Sequence, residues 1–120
     1  KPPAAWRGTV ASGQIDLDRV GSATTVFEGT ARAAVTLYPQ NANVAATLAL
    51  AGIGFDRTEV TLIADPSIKR NIHSFEAESA TGRLRFESEG YATASNAKTS
   101  VNTALSAVSY LRTGVGFVPI

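Results

Sequence analysis

The hydrophobic period of this chain changes near Thr58, and that change limits what it can fold into. From Thr58 to Ala64 the apolar residues alternate, with Val60, Leu62 and Ala64 on one face. Asn71 to Ser79 and Gly82 to Glu89 continue the alternation. A period of two is the mark of a strand with one covered face. A two-residue turn at Thr81-Gly82 would pair Ser79 with Leu84, Ala77 with Phe86 and Phe75 with Ser88. That register places all six residues on one face together with His73. On the other face it sets Glu78 opposite Arg85, with Glu76, Arg83, Glu87 and Glu89 nearby. One register thus gives an apolar face and a charged face, which is what specifies a hairpin; a slip by one residue would scramble both. Thr-Gly leaves the turn type open.

The chain before Thr58 reads differently. Lys1 to Gly13 is expected to be an extended opening segment, because Pro2 and Pro3 fix φ and disfavour helix before them. Trp6 could anchor it to the body. Asp16 to Val20 suits a turn or short helix. Thr24-Thr25-Val26-Phe27-Glu28 is β-branched and aromatic, hence a strand, stopped by Gly29. Thr30 can cap a helix from Ala31 to Leu37 that ends before Pro39. Asn41 or Asn43 can cap a second helix running through Leu50 and closed by Gly52. That helix, Val44 to Ala51, is apolar nearly all round, so it is expected to be buried.

After the hairpin, Tyr91 to Ala97 is small and polar, a loop. Thr99 or Ser100 can cap a last helix whose stripe is Val101, Ala104, Leu105, Val108 and Leu111. Gly114 ends it, and Val115 to Ile120 is a short apolar tail. Strand, helices, an antiparallel run and a helix make an α+β order: one mostly antiparallel sheet with helices packed on one face. With 120 residues, 44% of them hydrophobic, a single domain over 1–120 is expected.

Composition removes several function classes. The absence of cysteine excludes disulfides, thiolate metal sites and a thiol nucleophile. Net charge is +1 with scattered arginines, so nothing suggests nucleic acid. The longest apolar stretch, Val44 to Phe55, is too short for a membrane span and is broken by Gly52 and Gly54. The opening shows no charged-then-apolar leader pattern. The chain begins Lys1-Pro2-Pro3 and contains no methionine, so Lys1 is expected to be internal to a longer polypeptide.

The candidate chemistry is sparse. His73, the one histidine, could serve as general acid or base at the end of the sheet face; the plainer reading is a hydrogen-bonded core histidine. Asn41-Ala42-Asn43 opens an apolar helix, so one asparagine could cap it while the other meets a ligand; the plainer reading is two competing caps. Lys98-Thr99-Ser100 opens another helix and could hold a carboxylate or phosphate, or be ordinary capping beside a solvated lysine. Gly52-Ile53-Gly54 and Gly114-Val115-Gly116 lack the strand, third glycine and helix of a dinucleotide loop. The glutamates and arginines from Glu76 to Glu89 make a solvated face. No metal-ligand cluster is visible.

Several blocks in order resemble the C-terminal domain of L-aspartate dehydrogenases: Lys1-Pro2-Pro3-Ala4-Ala5-Trp6-Arg7-Gly8-Thr9, Phe27-Glu28-Gly29-Thr30-Ala31, Tyr38-Pro39-Gln40-Asn41-Ala42-Asn43-Val44-Ala45-Ala46, Ala64-Asp65-Pro66, Asn71-Ile72-His73 and Lys98-Thr99-Ser100. The resemblance implies a cytoplasmic, homodimeric enzyme in which an N-terminal Rossmann domain binds NAD or NADP. It implies a C-terminal α+β domain carrying catalysis and dimer contacts. The implied reaction takes L-aspartate to iminoaspartate, which can hydrolyse to oxaloacetate and ammonia. By the same resemblance His73 is the catalytic residue and Asn43 contacts the cofactor. Lys98, Thr99, Ser100 and Asn41 are then candidate contacts to substrate. Gln40 stands where the family usually has lysine, and Ala97 where it usually has proline. No glycine-rich Rossmann segment lies in these residues, so the chain is expected to be inactive alone. The rival readings are a non-catalytic dimerisation or scaffold module, and the substrate domain of a related two-domain reductase such as dihydrodipicolinate reductase.

Overall fold

Thr30 ends one element and starts the next. Strand β1 runs Thr24–Thr30 and helix α1 runs Ala31–Leu37. The Thr30 hydroxyl accepts the Ala33 N–H at 3.2 Å, the cap expected from the sequence. The computed structural model describes residues 1–90. The remaining elements are α2 (Asn43–Ala51), β2 (Glu59–Ala64), β3 (Asn71–Ser79) and β4 (Gly82–Gly90). The loop and helix expected beyond Tyr91 lie outside the described residues.

β1 and β2 pair antiparallel, with a register shift between Thr25 and Phe27. The extra residue, Val26, bends the strand over the core, where it is buried. Ala31 and Ala34 of α1, and Tyr38 just after its end, are buried at the spacing of one helix face. Trp6 meets Tyr38 edge-on with ring centroids 5.8 Å apart, and Phe27 meets it at 5.9 Å. The Tyr38 hydroxyl donates to the Val26 carbonyl at 3.3 Å, and burial pushes its pKa up. Ala11, Ala42 and Ala64 complete this core.

Five features differ from the sequence reading. Lys1 to Gly13 is not extended but coils into two 3₁₀ turns, Pro3–Trp6 and Val10–Gly13. Proline at the first helical position tolerates this, and the Thr9 side chain caps the second turn. Neither Asn41 nor Asn43 caps α2; Ala42 holds the cap position with no side-chain bond. The incoming chain is set instead by the Tyr38 carbonyl, which accepts the N–H groups of Asn41 and Ala42, both at 3.0 Å. Helix α2 is not buried all round: Ala49 is covered, but Leu50 is 76% exposed.

The fourth difference is the sheet. The α+β class and the antiparallel strands are as expected, but the described strands form two ladders, β1-β2 and β3-β4. Two contacts account for this. At its end β2 pairs with the opening residue: the Lys1 backbone nitrogen donates to the Ile63 carbonyl and the Asp65 N–H to the Lys1 carbonyl, each at 2.9 Å. Asp65 then accepts the Ser67 N–H at 2.8 Å and its hydroxyl at 2.6 Å, an Asx turn that carries the chain off the β2 edge.

The hairpin keeps its faces and changes its partners. Ser79 pairs with Gly82, so the turn residues are Ala80 and Thr81. Gly82 has φ +155°, a conformation that favours glycine, and the Ser79 hydroxyl accepts the Thr81 N–H at 3.3 Å. His73 therefore pairs with Ser88, Phe75 with Phe86, Ala77 with Leu84, Glu76 with Arg85 and Glu78 with Arg83. The displacement is two residues, so each side chain keeps its face.

Candidate active site

An open groove of about 1130 Å³ runs between helix α2, strand β2 and strand β3. Its wall includes Trp6, Asn41, Val44, Leu62, His73 and Phe75. The alternation of β3 puts His73 on the same face as Phe75 and Ala77, which turns it away from the charged side of the hairpin.

His73 is half-buried, and its Nε2 is buried with no hydrogen-bond partner among the described residues. Its pKa is pushed down from 6.5 to about 4, first by burial and then by the positive charge of Lys1. The imidazole is therefore neutral at pH 7. Lys1 is held at this place by its two backbone bonds to β2. A core histidine in its plain form would have both ring nitrogens satisfied; this one does not.

Asn41 lines the same groove, and its Nδ2 donates to the Ala5 carbonyl at 3.0 Å. That bond ties the opening segment to the start of α2. Asn43 is exposed at the first position of α2; its carbonyl accepts the Thr47 hydroxyl at 2.9 Å. Its neighbours Ala42 and Val44 line the groove. The structure thus brings His73 and Asn41 to one groove and sets Asn43 beside it. Lys98, Thr99 and Ser100 lie outside the described residues.

Two groups escaped the sequence reading. One is Lys1, which sets the charge around His73. The other is the Trp6 indole, 1% exposed, whose Nε1–H has no partner among the described residues. Nothing local in the sequence signals either, since both come from the opening segment. The charged face of the hairpin is solvated as expected: Glu76 bridges Arg85 at 2.8 Å and Arg83 at 3.2 Å, all exposed. Among the described residues no group of His, Asp and Glu could hold a metal ion, and no helix is long and apolar enough to cross a membrane.

Residues 1–114 match the family described as aspartate dehydrogenase, C-terminal. The chain belongs to that family. It is 52% identical over 111 residues to an L-aspartate dehydrogenase of Ralstonia nicotianae, covering 92% of this chain and 41% of the relative. An L-aspartate dehydrogenase of Pseudomonas aeruginosa is 50% identical over 111 residues, with 92% and 42% covered. The crystal structure of aspartate dehydrogenase from Thermotoga maritima matches with a TM-score of 0.60 and 32% identity, covering 98% of this chain and 43% of that one. The chain thus spans about two-fifths of the length of the curated relatives it matches.

Proposed function

We propose that this chain is the catalytic and dimerisation domain of an L-aspartate dehydrogenase. In this reading residues 1–120 are one domain, completed by an N-terminal Rossmann domain that holds NAD or NADP, and the whole works as a homodimer in the cytoplasm. The observation that carries the reading is His73: a neutral imidazole lining an open groove, with Nε2 buried and unpartnered. A neutral imidazole has one ring nitrogen able to accept a proton. A scaffold module whose polar residues are all caps fits less well, because neither Asn41 nor Asn43 caps α2.

The groove also fits a nicotinamide group. Its lining combines apolar side chains such as Val44, Leu62 and Phe75 with polar and charged ones, and the exposed Asn43 carboxamide lies next in sequence to two lining residues and can donate to and accept from a carboxamide. When bound, the nicotinamide would supply the acceptor for the hydride of the substrate Cα. The chain's own residues bind, orient and move a proton. His73 Nε2 takes the proton lost from the substrate amine, or takes one from the water that attacks the imine. Burial and then the charge of Lys1 keep its proton affinity low; an anionic substrate in the groove offsets that charge and raises it. Asn41 and the Lys98-Thr99-Ser100 segment contact the substrate. The products are iminoaspartate and, after hydrolysis, oxaloacetate and ammonia.

The test is His73→Ala in the full-length protein. Aspartate-dependent kcat should fall about a hundred- to ten-thousand-fold while NAD(P) affinity stays near that of the unmodified enzyme. Undiminished turnover would remove the assignment. The 120-residue chain alone should form no NADH from aspartate.

A further inference from the structure

Two strand edges bound the groove. Its lining on β2 is the unbroken run from Arg57 to Ile63, and on β3 the unbroken run from Ile72 to Glu78. A groove lying across a sheet face would be lined by every second residue of a strand. Unbroken runs on both sides mean that two backbone edges look at each other across the gap. Among the described residues neither edge carries a further strand: β2 is laddered to β1, and β3 to β4. An edge of this kind presents a row of N–H and C=O groups and is a template for another strand.

One rung of such a strand is already in place. The Lys1 nitrogen donates to the Ile63 carbonyl, and the Lys1 carbonyl accepts the Asp65 N–H. A residue bonded in this way to both neighbours of Ala64 is the rung of a parallel pair, with Lys1 beside Ala64. Strand β2 alternates without a bulge of its own, so the backbone groups of Thr61 and Glu59 turn to the same edge as those of Ile63 and Asp65. Six residues of β2 give about 20 Å of edge.

We propose that the segment preceding Lys1 in the full-length protein lies in this gap as a strand parallel to β2, joining the two ladders into one sheet. The proposal rests on the reading that Lys1 continues into an N-terminal domain, and the relatives supply the length, since this chain spans about two-fifths of them. The register follows from the Lys1 rung. The residue three places before Lys1 stands opposite Thr61, and the residue five places before it opposite Glu59. The residues two and four places before Lys1 share the face of Leu62 and Val60, which pack against the core, and so they are apolar. His73, close enough to feel the charge of Lys1, lies at the end where this strand enters the domain. The reaction keeps that end; the strand takes the length toward Glu59 and Glu78.

These 120 residues contain no cysteine, so a cross-link can be placed without interference from them. In the full-length protein, exposed Thr61→Cys is combined with cysteine in place of the third residue before Lys1. Paired strands hold such residues about 5 Å apart, within reach of a disulfide. Mild oxidation should close it, read by mass spectrometry of the digested protein. Thr61→Cys with cysteine in place of the fourth residue before Lys1, which points to the opposite face, should stay reduced. In the unmodified full-length protein the Thr61 and Ile63 amides should exchange with D2O about a hundredfold or more slower than exposed amides. If the cysteine variants fail to fold, that exchange decides. Fast exchange overturns the proposal; so does slow exchange in a folded variant that forms no disulfide, because another segment then fills the gap. The disulfide without aspartate turnover by the unmodified protein keeps the strand and removes the dehydrogenase reading. Turnover with fast exchange and no disulfide does the reverse.

Discussion

The depressed proton affinity of His73 has a consequence for stability that a single titration can check. Burial and the charge of Lys1 hold the folded imidazole at about 4, against 6.5 in the unfolded chain. Between those values the unfolded state binds the proton and the folded state does not. Stability from this group is therefore complete above pH 6.5 and falls as pH drops through 6.5 toward about 4. At full burial the loss would be about 3 kcal/mol, at 1.36 kcal/mol for each tenfold change in proton affinity. The ring is only half-buried, and solvent screening brings this to about 1–2 kcal/mol. The chain has one histidine, so its Cε1–H resonance reports the folded midpoint directly. Urea unfolding at pH 7 and pH 4 then compares the chain with His73→Gln. Carboxylate protonation affects both and cancels in the difference. The unmodified chain should lose about 1–2 kcal/mol more than the variant between the two pH values. A resonance that titrates at the ordinary histidine value, or parallel losses in the two chains, would refute the burial argument.

Three further outcomes follow from the fold. Thr30→Ala removes the α1 cap and should cost about 1 kcal/mol in urea unfolding, while Thr30→Ser, which keeps the hydroxyl, should cost far less. Gly82→Ala puts a Cβ at φ +155° and should destabilise by more than the roughly 1 kcal/mol that a tolerated glycine-to-alanine change gains; thermal unfolding of the variant reads the sign. Glu76→Gln removes the pairing to Arg83 and Arg85, yet both pairs are exposed, so the melting temperature should shift by no more than about 1 kcal/mol warrants.

How much of this was legible in the sequence depends on what each feature answers to. The hairpin faces were legible because parity survives an error of two residues: Phe75 meets Phe86 instead of Ser88, but His73 still lies on the apolar side. The partners were not, because the turn is decided by Gly82 and the Ser79 hydroxyl, and both Thr81-Gly82 and Ala80-Thr81 satisfy the pattern. The Thr30 cap was legible because it is local. The capping of α2 was not. Its start is fixed by the Tyr38 carbonyl, and Asn41 is drawn away to Ala5, 36 residues distant in sequence. Helix α2 also looked buried because alanine counts as apolar. Alanine carries little area, so an alanine-rich helix has weak cause to be covered on every side, and only Ala49 is fully covered.

The same division runs through the site. A strand period placed His73 on its face, which is why the histidine stood out; its lowered proton affinity comes first from burial and then from Lys1, 72 positions away in sequence and held by two backbone bonds to β2. Trp6 likewise reads as an anchor from sequence, and its ring is one, edge-on to Tyr38. What the pattern could not give is the state of its N–H, because an unpartnered atom is a property of everything packed around it. The opening segment thus does two jobs that sequence shows only as one. It closes the core through the indole ring, and it delivers a cation to the groove that His73 lines.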